Sequence, residues 1–262
     1  MRIIVLASGS KGNATYIESG KTKILIDAGI SFKQLKNRLL SKGIELSNLD
    51  GVLITHEHTD HTSGLGVLLG NINTNVYINE RCHLGCSSSV FDMLRNKNIV
   101  YFNEREEFEI GNLHILPIKL YHDSSDCFGF VITEDEKKLV YITDTGYIHH
   151  KDLALISNAQ MYVMESNHDP EMLMNSNRTL ELKQRVLGDK GHLSNQDCAS
   201  MLCYSIGPKT KTIVLAHISE ECNCIEKIKE TIKEVFTDFM VNIDDYDINY
   251  AMQHEPSKIF EV

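Results

Sequence analysis

The sequence has no run of apolar residues approaching the roughly 20 needed to cross a bilayer, so nothing in it predicts a membrane segment. Its N-terminal Ile3-Ile4-Val5-Leu6-Ala7 run is too short for the core of a signal peptide, and a cytoplasmic location is expected. A disulfide framework is also missing: the seven cysteines, an odd number with no CxxC pair, fit reduced thiols. Positive charge is in short supply, with 26 Lys and Arg against 36 Asp and Glu. The net charge of −10 argues against capture of nucleic acid by the whole surface. A local basic patch with divalent ions could still hold phosphate. No linker, low-complexity tract or charge block marks a domain boundary, so residues 1–262, 42% apolar, read as one domain with a substantial core.

What the chain does hold is a dense polar stretch, Thr55-His56-Glu57-His58-Thr59-Asp60-His61, directly after the apolar Gly51-Val52-Leu53-Ile54. The apolar residues predict a short buried strand, so three imidazoles and a carboxylate emerge where a strand stops and a helix can start. Imidazole with carboxylate suits Zn²⁺ first, then Mn²⁺ or Fe²⁺, and the lack of Cys in the cluster argues against a closed structural zinc site. Side chains this crowded cannot all reach one ion, so two ions are expected. A merely polar loop is the weaker reading, because each buried His without a partner costs desolvation free energy.

Around this stretch the chain alternates strands and helices. Met1–Ala7, Asn13–Ser19 and Lys23–Ile26 predict strands, and Ser8–Asn13 a glycine turn whose N–H groups could face an anion. A helix starts after Ser31 and ends at Gly43. Leu65–Leu69 predicts a short helix, Asn75–Ile78 a strand, Arg81–Asn96 one helix, and Phe108–Ile118 one strand leading to Tyr121-His122-Asp123. Ser194 caps a helix, and a last helix is predicted from Asn223 with Glu226 in the capping-box position.

There is also an internal echo. Lys137–Asp144 followed by Thr145-Gly146 repeats the form of Lys21–Asp27 followed by Ala28-Gly29, which predicts two related halves, about 1–125 and 126–262. Met161–Glu165 and Thr212–His217 likewise end apolar strands on polar side chains, so Asp27, His56, Asp144, Glu165 and His217 are expected on one rim. The most basic stretch, Arg178–Lys190, carries Arg185 and Lys190 just before Gly191-His192-Leu193-Ser194-Asn195.

In order and spacing, Asp27, His56-x-His58-x-Asp60-His61, His122, Asp144 and His217 resemble the five motifs of the metallo-β-lactamase fold superfamily. The resemblance implies an α/β fold of the four-layer αββα sandwich type with a binuclear site. By that match His56, His58 and His122 hold one ion and Asp60, His61 and His217 the other. Asp144 bridges them, and Asp27 hydrogen-bonds the ligand loop from behind. Gly191–Asn195 and Ala216-His217-Ile218-Ser219 resemble the phosphodiesterase branch, with Glu165 as partner to His192. RNase Z has a long tRNA-binding arm and RNase J a β-CASP insert. Neither has room here, with fewer than fifty residues between Asp144 and His192.

The pattern is most similar to the WalJ/YycJ group through Ala7–Asn13, Glu165-Ser166-Asn167-His168-Asp169, Leu182–Arg185 and Gly191–Asn195, although Glu221-Cys222-Asn223 stands where Glu-Asn-Asn is expected. Members of that group are 5′→3′ DNA exonucleases linked to mismatch repair. The resemblance therefore implies a nucleic-acid substrate, DNA ahead of RNA, and two divalent cations. Asp60, His192 and Glu165 become the catalytic side chains, with His192 protonating the leaving alkoxide. Substrate contacts are expected from Ser10, Asn13, His168, Arg185, Lys190, Ser194 and Asn195, with the Ser10–Asn13 turn and His168 as candidates for a terminal phosphate. Rival readings are RNase Z-like RNA processing and hydrolysis of a small ester, thioester or lactam. An oxidoreductase or a non-catalytic binder fits less well, because no flavodoxin-like extension is present and no ligand is lost.

Overall fold

The computed structural model describes residues 1–262. One sheet comprises β1 (Arg2–Ala7), β2 (Ala14–Ser19), β3 (Thr22–Ile26), β4 (Gly51–Leu53), β5 (Asn75–Ile78) and β6 (Ile99–Tyr101). The other comprises β7 (Phe108–Ile110), β8 (Leu113–Leu120), β9 (Cys127–Glu134), β10 (Lys137–Ile142), β11 (Met161–Glu165), β12 (Thr212–Ala216) and β13 (Asp247–Tyr250). The C-terminal β14 (Phe260–Glu261) returns to the first sheet, giving the orders 14-1-2-3-4-5-6 and 13-12-11-10-9-8-7. Helices α1 (Phe32–Leu40), α2 (Thr59–Thr62), α3 (Leu65–Asn71), α4 (Glu80–Gly85) and α5 (Ser88–Leu94) accompany the first sheet in sequence. With the second come α6 (Leu153–Ile156), α7 (Pro170–Asn175), α8 (Leu180–Leu187), α9 (Asn195–Ser205) and α10 (Ile225–Asp238).

The echo in sequence is an echo in topology. In each sheet an antiparallel meander passes into parallel strands, at β3–β4 and at β10–β11. The sheets part between Tyr101 and Phe108 rather than near residue 125, because the β7–β8 hairpin pairs with β9. A core of 46 buried residues draws on both sheets, among them Ile4, Leu25 and Val52 from the first and Phe130, Tyr141 and Val163 from the second. A separate 21-residue core packs α9 and α10 on the outer face of the second sheet. No helix is long and apolar enough to cross a membrane.

Three local expectations are revised. Arg81–Asn96 is two helices, because Cys86 and Ser87 are extended and the serines at 87–89 hydrogen-bond locally instead of continuing a helix. Phe108–Ile118 is a hairpin turning at Gly111-Asn112, with Gly111 at φ 59°. β9 escapes a period-two reading because its first six residues are buried on both faces. The last helix is capped by Cys224 without a side-chain bond, and Asn223 turns inward to donate to the Ser166 carbonyl at 3.0 Å.

Backbone contacts fasten the His-rich loop to two turns of the first sheet. Asn13 N–H donates to the Asp60 carbonyl at 2.7 Å, Ala28 N–H to that of His61 at 2.8 Å, and Gly64 N–H to that of Ala28 at 2.7 Å. A Cβ on Gly29 would fall 1.6 Å from the Asp60 carbonyl oxygen, so only glycine allows this approach. Gly29→Ala should therefore cost about 1–3 kcal/mol or more. Gly70→Ala, exposed in α3 with nothing within 4 Å, should instead stabilise by about 0.5–1 kcal/mol. Denaturant unfolding of the two variants checks both signs.

Candidate metal centre and active site

The polar side chains gather at the C-terminal ends of the parallel strands and of β8, on one edge of the paired sheets. Asp27 follows β3, Thr55 and His56 follow β4, His122 follows β8, Asp144 follows β10, Glu165 ends β11 and His217 follows β12. Asp27, Asp144 and His217 all take left-handed backbone conformations, with φ of 59°, 62° and 53°. Asp and His tolerate that region better than most residues, and its cost is borne where side chains must turn off a strand toward a site.

Four of the imidazoles, those of His56, His61, His122 and His217, are oriented from the outer nitrogen. The fully buried Asp27 carboxylate accepts from Thr55 N–H at 2.9 Å, the Thr55 hydroxyl at 2.9 Å and His61 Nδ1 at 2.7 Å. His56 Nδ1 lies 3.1 Å from the same hydroxyl, and His122 Nδ1 donates to the Gly191 carbonyl at 3.1 Å. His217 Nδ1 donates to Glu165 Oε1 at 3.0 Å. The Nε2 atoms of His61 and His217 then stand 3.3 Å from Asp144 Oδ2 and Oδ1 respectively. His58 packs edge-on between His56 and His122.

Ligand-type atoms of His56, His58 and His122 lie within 4.8 Å of one another, and so do those of Asp60, His61 and His217, with Asp144 grouped with His56 and His61. His56 Nε2, His217 Nε2 and Asp144 Oδ2 are buried without a hydrogen-bond partner in the protein. Such atoms are costly unless a cation takes them up. The residues present fit divalent metal ions. Charge points the same way: burial opposes ionisation, yet His217 and His61 hold the Asp144 carboxyl well below its usual range. Burial likewise disfavours charge on His217, but Asp144 and Glu165 outweigh it and raise its pKa to about 9.

Glu165 has a second task that its sequence position did not reveal. Its Oε1 accepts from His192 Nδ1 at 2.8 Å as well as from His217, and its Oε2 accepts from Thr145 N–H at 2.9 Å and Leu193 N–H at 3.2 Å. Burial pushes its carboxyl up, but His192 and the hydrogen bonds prevail and bring it to about 2. One carboxylate thus orients both a candidate ligand and the candidate general acid, whose Nε2 is left free.

A cleft of about 420 Å³ opens over this cluster, lined by Asp60, Asp144, His192 and His217 together with Ser10 and Arg185. Arg178 and Asn167 also line it and were not singled out from the sequence. Arg178 lay inside the noted basic stretch, and Asn167, which donates to the His217 carbonyl at 2.8 Å, carried no charge to betray it. Arg185 pairs with Asp123, and Arg178 Nε donates to Glu221 at 2.9 Å.

Several expected substrate contacts are not in the cleft wall. Asn13 is fully buried, with its amide donating to the Gly9 carbonyl at 3.1 Å and lying 3.0 Å from His61 Nε2. The turn beside it is no nest of several N–H groups, because those of Gly9, Lys11, Gly12 and Asn13 all have acceptors within the protein, which leaves only Ser10 N–H free, at the cleft wall. Ser194 spends its hydroxyl on the α9 cap and Asp197, and Asn195 is locked to Ser166 and Asn223. Lys190 is exposed outside the cleft lining, and His168 is buried away from it.

Two outcomes follow from this geometry. Glu165→Gln should weaken metal affinity by about 10–100-fold in a chelator competition, as loss of a partner behind a metal ligand does. If Glu165 served His192 alone, affinity would be unchanged. Burial lowers the His168 pKa to about 4. Its neutral form therefore contributes stability that is complete above pH about 6.5 and is lost as pH falls toward 4. Replacing it with Gln should flatten the loss of stability across that window in urea titrations.

Comparison with known proteins agrees with this architecture. The model of the beta-lactamase superfamily domain matches residues 22–218. The exodeoxyribonuclease WalJ of Streptococcus pneumoniae is 37% identical over 226 residues, covering 85% of this chain and 83% of its own. Exodeoxyribonuclease YycJ of Bacillus anthracis is 31% identical over 256 residues, 97% of each chain. Among solved structures, the metallo-beta-lactamase fold protein YhfI of Bacillus subtilis superposes with a TM-score of 0.71 at 16% identity, over 98% of both chains, and shows the shared fold. With its cluster of candidate metal ligands at the strand ends of such a fold, the chain belongs to the metallo-β-lactamase superfamily, in the family of the WalJ and YycJ proteins.

Proposed function

We propose that this protein is a two-metal phosphodiesterase that degrades DNA from the 5′ end. The observation that carries the reading is the Glu165–His192 pair standing 2.8 Å apart beside the ligand cluster. A nucleoside alkoxide is a poor leaving group and needs a proton donor, which a thioester hydrolase, expelling a thiolate, does not need. The names of the two relatives above support the same substrate class.

In this reading His56, His58 and His122 hold one ion, Asp60, His61 and His217 the other, and Asp144 lies between them. Two divalent ions, zinc first and manganese or iron next, would activate water and neutralise phosphodiester oxygens. The remaining work falls to the chain. Glu165 holds His192 by Nδ1 so that Nε2 can deliver a proton to the departing oxygen. Such acid help contributes about 10²–10⁴ in rate. Arg178 and Arg185 exchange their carboxylate partners for phosphate oxygens, contacts that hold the backbone and read no base. Asp60, on the rim, orients the attacking water. The two arginines favour an anionic substrate over a small neutral one.

Metal-loaded protein given labelled double-stranded DNA, single-stranded DNA and RNA should shorten DNA from its 5′ end fastest. His192→Ala should lower turnover on DNA by about 10²–10⁴ with metal content normal, and an aryl phosphodiester should lose far less. Equal losses on both substrates would remove His192 as the acid.

A further inference from the structure

An exonuclease must find a chain end, and of the Gly9–Asn13 turn only Ser10, whose N–H and hydroxyl have no partner, reaches the cleft. A second cavity, about 310 Å³, adjoins the catalytic cleft and shares Ile218 and Ser219 with it. Its walls are three chain segments, 218–220, 223–225 and 251–255. Where the cleft offers arginines and ligands, this neighbour offers Ile218, Ile225, Ala251 and Met252, with Cys224 beside them. Its polar groups are largely spent. Glu220 is held by Lys11 and by His254 Nε2 at 2.8 Å, while Gln253 accepts from Lys11 N–H at 2.8 Å and donates to the Gly12 carbonyl at 2.9 Å.

The far wall is fastened down. Arg38 donates to the carbonyls of Gln253 at 3.2 Å and His254 at 3.0 Å, and Ala251 N–H donates to the Leu215 carbonyl at 2.8 Å. Ser8 N–H donates to the Met252 carbonyl at 3.2 Å. The glycine turn, through Gln253, and Arg38 thus brace this wall. A phosphodiester seated in the cleft carries a nucleoside on each side, and the adjoining cavity at Ile218 and Ser219 is within reach of one of them.

We infer that the cavity receives the nucleoside of the terminal nucleotide, and that its braced far wall stops the strand from running further. The volume is at the low end of the about 300–1,000 Å³ range of small-ligand sites, room for one nucleoside and not two. Apolar walls and an adaptable Met give contact to any base without reading its edge, as a sequence-tolerant exonuclease requires. This rests on the exonuclease reading, and the experiment separates the two.

Metal-loaded wild-type and Met252→Trp proteins are compared on end-labelled DNA and on bis(p-nitrophenyl) phosphate, with sedimentation of both. Met252 is partly exposed and outside the catalytic cluster, so the small diester should be cleaved equally by both. The KM for DNA should rise roughly tenfold or more, the loss of one base contact. Separately, N-ethylmaleimide labelling of Cys224 should be slowed by each of the four deoxynucleoside monophosphates. An unchanged KM for DNA, unprotected Cys224, or a variant whose only change is its oligomeric state would overturn the nucleotide pocket while leaving the exonuclease reading intact. Wild-type protein that cleaves the small diester but no DNA would remove both.

Discussion

Asp144 is a carboxylate buried between two imidazoles, with one oxygen unpartnered inside the protein, and the rest of the site is arranged to make that tolerable. His61 faces it from the first sheet and His217 from the second, each at 3.3 Å, so its position depends on how the two sheets pack. The shared 46-residue core fixes that packing. Asp27 and Glu165 then stand behind the two imidazoles in equivalent places, one per sheet, and accept hydrogen bonds from their Nδ1 groups. Removal of positive charge from between these carboxylates leaves several buried anions facing one another, which is why the cluster draws protons or metal ions.

Much of this was legible in the sequence. The strands before Asp27, His56, Asp144 and His217 are short apolar runs, and a strand that ends on Asp or His directs a polar group to the sheet edge. The repeated Asp-small-Gly form at Asp27 and Asp144 corresponds to two left-handed turns at the junction of antiparallel and parallel strands. Less legible were features fixed by distant neighbours. Whether Asn195 and Asn13 meet a substrate or the protein's own side chains depends on partners 28 and 47 residues away. Local spacing carries no record of those partners. The double duty of Glu165 was hidden for the same reason, since His192 and His217 are 27 and 52 residues from it. β9 went unread because a strand buried on both faces has no period.

The cleft has two characters. On the side of α7 and α8 it carries Arg178 and Arg185, paired with Glu221 and Asp123. This wall is joined to the body through a small apolar contact in which Cys222 is buried against Leu173 and Val186. The cysteine at the position where the group carries Asn is thus a packing residue. On the side of Ile218 the surface becomes apolar and its support is rigid. A polyanion with flat apolar bases matches that sequence of surfaces, and neither half alone would indicate it.

If the seven residues at the strand ends hold two divalent ions that act together, metal content and activity should fall together. Metal analysis of the protein, dialysed after loading with zinc or manganese and assayed in parallel on a phosphodiester, tests it most directly. Two tightly held ions per chain, falling together with activity in Asp144→Ala while the far-ultraviolet circular dichroism is unchanged, is the expected result. Full activity with one ion at most, under metal-replete conditions, would contradict it.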